Sequence, residues 1–157
     1  MNTLFARMSL ALVVIIGITG TAFFVVERVG ADLYYEELTQ RLNAPIAMYV
    51  TGERTLIRDG TPDIESLADL AQQAMIINPT AEIYLLDTDG TILGHGLPAD
   101  SVVRNRIDLA PVRELIAGNP RMPLRGDDPR SASGRKVFSA SEVRADAVLE
   151  GYLYVIL

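Results

Sequence analysis

Arg104, Arg106, Arg113, Arg121, Arg125, Arg130 and Arg135 fall within one short stretch of the chain. Guanidinium groups bind carboxylate and phosphate oxygens in pairs of parallel hydrogen bonds, so one or two of these arginines could clamp a small anion. Asp108, Glu114, Asp127 and Asp128 are interleaved with them. A solvated, salt-bridged loop is therefore the plainer expectation. Asp127 and Asp128 could ligate a cation, but capping a turn before Pro129 or pairing with neighbouring Arg is expected instead. Asp87, Asp89 and Gly90 echo part of an EF-hand calcium loop, whose bidentate Glu at the twelfth position is missing. No metal and no cofactor is expected.

The only histidine, His95, could respond to pH near a pocket. Tyr84, Phe138 and Tyr152 lie with it on expected strands and face either a pocket or the core. The candidate ligand-binding set is Tyr84, His95, Arg113, Arg125, Arg130, Lys136 and Tyr152. The sequence offers no catalytic residue beyond the Asp87/Asp89 pair. With no cysteine, the chain has neither a thiolate metal site nor a disulfide framework.

These residues have to be positioned by a chain of 157 residues with a formal charge of -6, which argues against nucleic acid as a partner. Met8–Val26 is free of charge and, at about 19 residues, long enough to cross a hydrocarbon core of about 30 Å. The run is long for a cleaved signal and is expected to be a transmembrane helix in contact with membrane lipid. Arg7 before it and the acidic stretch Asp32, Glu36, Glu37 after it favour the N-terminus (1–7) inside and the remainder outside.

Residues 27–44 continue as a stalk helix with Val29, Leu33, Leu38 and Leu42 at near-helical spacing. Pro45 should bend or end it. Such a stripe packs on its own domain or on a second copy, as a homodimer. Residues 45–157 form one domain. There Thr61 is expected to cap a helix with Pro62 at its first position. Ile64, Leu67, Leu70, Ala71, Ala74 and Met75 form its buried stripe.

Glu82–Asp87 and Thr91–His95 read as a hairpin closed by a type I′ turn at Asp89-Gly90. Asp108 caps a short helix to Ala117, with Gly118 past its end. Asn119–Gly134 is an expected loop. Lys136–Val143 and Tyr152–Leu157 are two strands paired through a turn around Asp146. The fold class is α+β, with a transmembrane helix continuing into a stalk and a central antiparallel sheet.

The membrane helix, the stalk, the hairpin IYLLDTDGTIL, the run PLRGDDPRSASGRKVFSA and the closing GYLYVIL together resemble the PAS-like or Cache-type sensor region of bacterial two-component histidine kinases. The resemblance implies a periplasmic signal-sensing domain anchored in the bacterial inner membrane, with a small ligand between the sheet and the loops covering it. It also implies a kinase module beyond Leu157, a response regulator as that module's partner, and no enzyme activity in the stretch given, which ends inside an apolar strand as a truncated fragment would. The same sensor module on a chemoreceptor or a cyclic-dinucleotide enzyme is the alternative, as is an anchored domain that binds a partner.

The segment Ile83–Thr91 is also similar to the first motif of haloacid-dehalogenase-type phosphatases. That resemblance implies Asp87 as nucleophile and Asp89 as general acid around Mg²⁺. The phosphatase fold needs a parallel sheet with helical crossovers, for which the roughly 65 residues after the motif are few. Lys136, the only lysine, also follows the Asp127-Asp128 cluster instead of preceding it.

Overall fold

The computed structural model describes residues 2–51, 56–58, 61–118 and 120–157. The chain divides into two compact units, the first ending at Tyr35 and the second running from Glu36 to Leu157. The first is helical throughout its described length. It belongs to α1 (Asn2–Asn43), which has no proline and no break. This is a helix long and apolar enough to cross a membrane, and none of its most apolar window is buried. Thr21 returns its hydroxyl to the Gly17 carbonyl at 2.8 Å, which satisfies that donor within the helix.

The second unit begins with the last turns of α1. Pro45 does not end helical structure. It restarts it after a single turn residue, as the first residue of α2 (Pro45–Thr51), where its missing N–H is no loss. A two-stranded ribbon follows, β1 (Ile57–Arg58) against β2 (Thr61–Pro62). Thr61 and Pro62 are thus strand residues, and the cap of α3 (Ile64–Ile77) moves to Asp63. Its Oδ1 accepts from the Ser66 N–H at 3.0 Å and its Oδ2 from the Ser66 hydroxyl at 3.0 Å. The Asp63 N–H is already committed to the Leu56 carbonyl, which fixes where the ribbon stops and the helix starts. Leu67, Leu70, Ala71 and Ala74 form the buried stripe; Ile64 and Met75, expected within it, are exposed.

The strands β3 (Glu82–Leu86), β4 (Ile92–His95), β5 (Arg125–Asp127), β6 (Arg135–Ala145) and β7 (Val148–Ile156) form one sheet in the order β4-β3-β7-β6-β5. Every pairing in it is antiparallel. β5 lies inside the stretch expected to be loop; Asn119, the first residue of that stretch, lies outside the described residues. Alternation along the strands gives the sheet two apolar faces. Ile83, Leu85, Val143, Leu153 and Val155 pack under α2 and α3. Tyr84, Leu86, Phe138, Tyr152, Tyr154 and Ile156 pack under α4 (Leu109–Ile116) and the segment before it. Asp108 caps α4 through the Ala110 N–H at 2.9 Å, and Gly118 follows with φ of +89°.

The type I′ turn lies elsewhere than expected. At β3–β4 only Gly90 has positive φ, so Thr88 and Asp89 make a type I turn with glycine in the left-handed bulge position. The type I′ geometry sits at β6–β7 instead, where Asp146 (φ 47°) and Ala147 (φ 69°) are both left-handed. Arg144 Nη1 donates to the Ala147 carbonyl at 3.0 Å and holds that turn closed.

Candidate functional site

The second apolar face carries a buried ionic cluster at one end. Glu82 and Tyr84 are two apart on β3 and so project from the same face. The Tyr84 hydroxyl donates to Glu82 Oε2 at 2.9 Å, and Arg130 Nη1 donates to Glu82 Oε1 at 2.8 Å. The Glu82 side chain is only 10% exposed, whereas half of Arg130 remains in solvent. Both carboxylate oxygens are thereby satisfied, which a buried acid requires.

Next to this pair lies Asp128, whose side chain is likewise nearly covered. Its Oδ2 is 3.1 Å from Lys136 Nζ, and its Oδ1 accepts from the Arg130 N–H at 3.0 Å. Arg104 fastens the loop that carries these groups. It makes an ion pair with Asp127 at 2.8 Å and donates to the carbonyls of Ser131 and Ala132 at 2.7 and 2.8 Å.

Aromatic rings floor the cluster. Tyr84 lies 6.3 Å from the His95 ring and 6.4 Å from Tyr154, and Tyr154 stacks at 4.9 Å on Phe138. The Tyr154 hydroxyl donates to the Asp127 carbonyl at 2.8 Å. Gly126 is glycine because a Cβ there would run into that hydroxyl and come within 3.0 Å of the Phe138 ring. His95 Nδ1 is 3.1 Å from the Leu97 carbonyl, so a local backbone contact orients the ring.

Of the seven residues singled out by type, Tyr84, His95, Arg130 and Lys136 meet here. Three do not. Arg125 is paired with Glu36 of α1 at 2.7 Å. Tyr152 is packed in the apolar face opposite Leu86 and Glu142. Arg113 lines a polar cleft of about 380 Å³ with Arg106, Asp89 and Asp108 at the start of α4. Glu82, the acid at the centre, is the member that residue type alone did not rank, while Arg104, its loop's anchor, belongs to the arginine cluster but not to the candidate set. An acid two residues before a buried tyrosine on the same strand face was the available signal for Glu82. Asp127 pairs with an arginine, as expected, whereas Asp128 takes Lys136 and accepts from the Arg130 N–H.

Asp87 and Asp89 stand apart from the cluster. Asp87 Oδ1 accepts from the N–H groups of Asp89 and Thr91, both at 2.8 Å. Partial burial would raise its carboxyl, but hydrogen bonds from Thr91, Asp89 and Gly90 more than offset that and hold it below the usual range. The carboxylate is occupied in shaping the turn. A separate apolar cleft of about 740 Å³ is lined by Ala44, Met48, Leu115, Ile116 and Met122 beside β6.

Burial pushes the Tyr84 phenol well above its ordinary value, reinforced by the hydrogen bond to Glu82 and the charges of Glu82 and Asp128 and opposed by Arg130. Burial does the same to Tyr154, with Asp127 and Asp128 adding to it. The folded state therefore keeps two protons that the unfolded chain releases near pH 10. The stability they contribute is intact below about pH 10 and falls as pH rises above it. In an alkaline titration followed by ultraviolet absorbance, Tyr84→Phe and Tyr154→Phe should each remove phenolate signal only from the step that coincides with unfolding. Signal lost from an earlier step would contradict this burial.

Compared with protein-family models and with curated proteins, the chain finds no match.

Proposed function

We propose that the chain is the extracytoplasmic signal-sensing region of a membrane-bound two-component sensor histidine kinase. In this reading α1 crosses the bacterial inner membrane with its N-terminus inside, and residues 45–157 form a periplasmic PAS-like or Cache-type domain. A stimulus at the Glu82–Arg130 cluster shifts the sheet relative to the stalk, and the stalk carries the displacement towards a kinase module that acts on a response regulator. The observation that carries the reading is the continuity of α1, from a wholly unburied apolar segment to Gln40, which is completely buried in the domain.

The cluster supports sensing because it is a site of exchangeable partners. The half-exposed Arg130 already binds a carboxylate, so a small anion can compete with Glu82 for it. The stalk also presents Leu38 and Leu42 exposed, half a helical turn away from Gln40, which suits a homodimer through that face. A phosphatase built on Asp87 is less well supported, since the sheet is antiparallel and that carboxylate is engaged by backbone amides.

The test is Arg130→Met in the receptor joined to its output. Because Glu82 is buried, the loss of its cation should lower the thermal unfolding midpoint, so output is compared well below the variant's midpoint. Basal output should change severalfold, as Glu82 is left without its cation. An output identical to the parent's contradicts the assignment of this cluster.

A further inference from the structure

One rung of the sheet is missing, and a side chain from the stalk stands in its place. β5 and β6 pair at Arg125↔Val137, Gly126↔Lys136 and Asp127↔Arg135. Carried one residue further, this register sets Leu124 against Phe138, yet the ladder stops before them. Between them lies the Gln40 side chain, 0% exposed. Its Nε2 donates to the Phe138 carbonyl at 2.8 Å and to the Leu124 carbonyl at 2.9 Å, and its Oε1 accepts from the Leu124 N–H at 2.8 Å. A primary amide has the donors and acceptor of a peptide unit, so it serves both strands as a neighbouring residue would.

The same backbone groups have a second way of being satisfied. Hydrogen-bonded pairs in an antiparallel ladder recur every second residue. Val137 already turns its carbonyl to the Leu157 N–H on the β7 side, at 3.2 Å. Lys136 and Phe138 therefore both turn towards β5, and Leu124 and Phe138 are partners of the kind that exchange N–H···O bonds. With Gln40 withdrawn they can close on each other and leave no buried group orphaned. Stalk attachment and strand pairing thus compete for one set of hydrogen bonds.

We propose that Gln40 is a two-position wedge. Inserted, it clamps the end of α1 to the sheet and holds β5 one rung short. Withdrawn, it frees the stalk, and β5–β6 zips by one rung. β5 ends at Asp127 and is followed by Asp128, and their carboxylates hold Arg104 and Lys136 at the strand end opposite the competing rung. A device with two discrete arrangements is what a switching element requires. The consequence for signalling rests on the sensor reading; the wedge itself does not.

The test uses the full chain in lipid nanodiscs, with Gln40→Ala, which retains helix propensity, and Gln40→Glu, whose carboxylate cannot donate to the two carbonyls. In both variants NMR should show an amide–amide contact between Leu124 and Phe138 that the parent lacks. The Leu124 amide should stay protected from exchange to within about tenfold of the parent. A rapidly exchanging Leu124 amide without the new contact overturns the proposal, as does loss of folding in both variants. The readout needs no output domain. A zipped rung in a receptor that never responds would sink the sensor reading and leave the wedge standing.

Discussion

Gly151→Ala should cost the domain about 2–3 kcal/mol, which for its size lowers the unfolding midpoint by about 10 °C. Gly151 lies on β7, the middle strand of the sheet. A Cβ there would run into the Leu86 carbonyl of β3 and lie 2.9 Å from the Ile57 side chain. Leu86 cannot step aside, because it belongs to the β3–β7 ladder that aligns it with Tyr152. Relief requires the two strands to part, and every apolar contact on both faces depends on their spacing. Thermal denaturation followed by circular dichroism checks it. A midpoint within a degree or two of the parent would mean that the β3–β7 spacing is looser than described.

The second large effect is functional. On the proposed sensor reading, Leu38→Pro in the chain joined to its output should abolish the dependence of output on stimulus. Proline at this position removes the hydrogen bond to the Tyr34 carbonyl and clashes with that carbonyl, an effect of about 3 kcal/mol or more in a helix interior. Leu38 is exposed on α1, so the substitution removes little core packing. The Gln40 bonds lie beyond the break and can keep the domain folded. Output measured with and without stimulus checks it, with expression and domain thermal stability as controls. A full response from a folded Leu38→Pro receptor would exclude the continuous helix as the carrier of the signal.

Where sequence and structure agree, one local rule sufficed. The strands around Ile83, Phe138 and Tyr154 have apolar runs of strand length, and the short α4 has an aspartate cap and a glycine stop. Where they differ, tertiary context decided. Arg125-Gly126-Asp127 carries no apolar alternation and is a strand only because β6 pairs with it and Tyr154 anchors the Asp127 carbonyl. Thr61 would cap a helix if Pro62 were not held in the ribbon with Ile57. The type I′ turn sits at Asp146-Ala147, whose letters ask for it less clearly than Asp89-Gly90 do. An alanine in the left-handed region costs about 1–2 kcal/mol and persists because β6 and β7 are bound along their length.

The candidate site was legible in part for similar reasons. Tyr84, His95, Arg130 and Lys136 could be named by type, but which arginine meets which acid depends on the folding of the loop after β5. Arg125 and Arg130 look alike in the sequence, and one faces the stalk while the other faces Glu82. Gln40 was invisible: a glutamine on a helix is ordinary until two strands prove to lack a partner at that point.

In the proposed reading the domain stands outside the cytoplasm and reports inward through α1. The absence of cysteine makes this directly measurable, because Ser133→Cys on the exposed cluster loop introduces a unique thiol. In intact bacterial cells expressing the chain, a membrane-impermeant maleimide should label that thiol to the same extent as in lysed cells. Labelling that occurs only after the inner membrane is broken would place the domain in the cytosol and contradict the account.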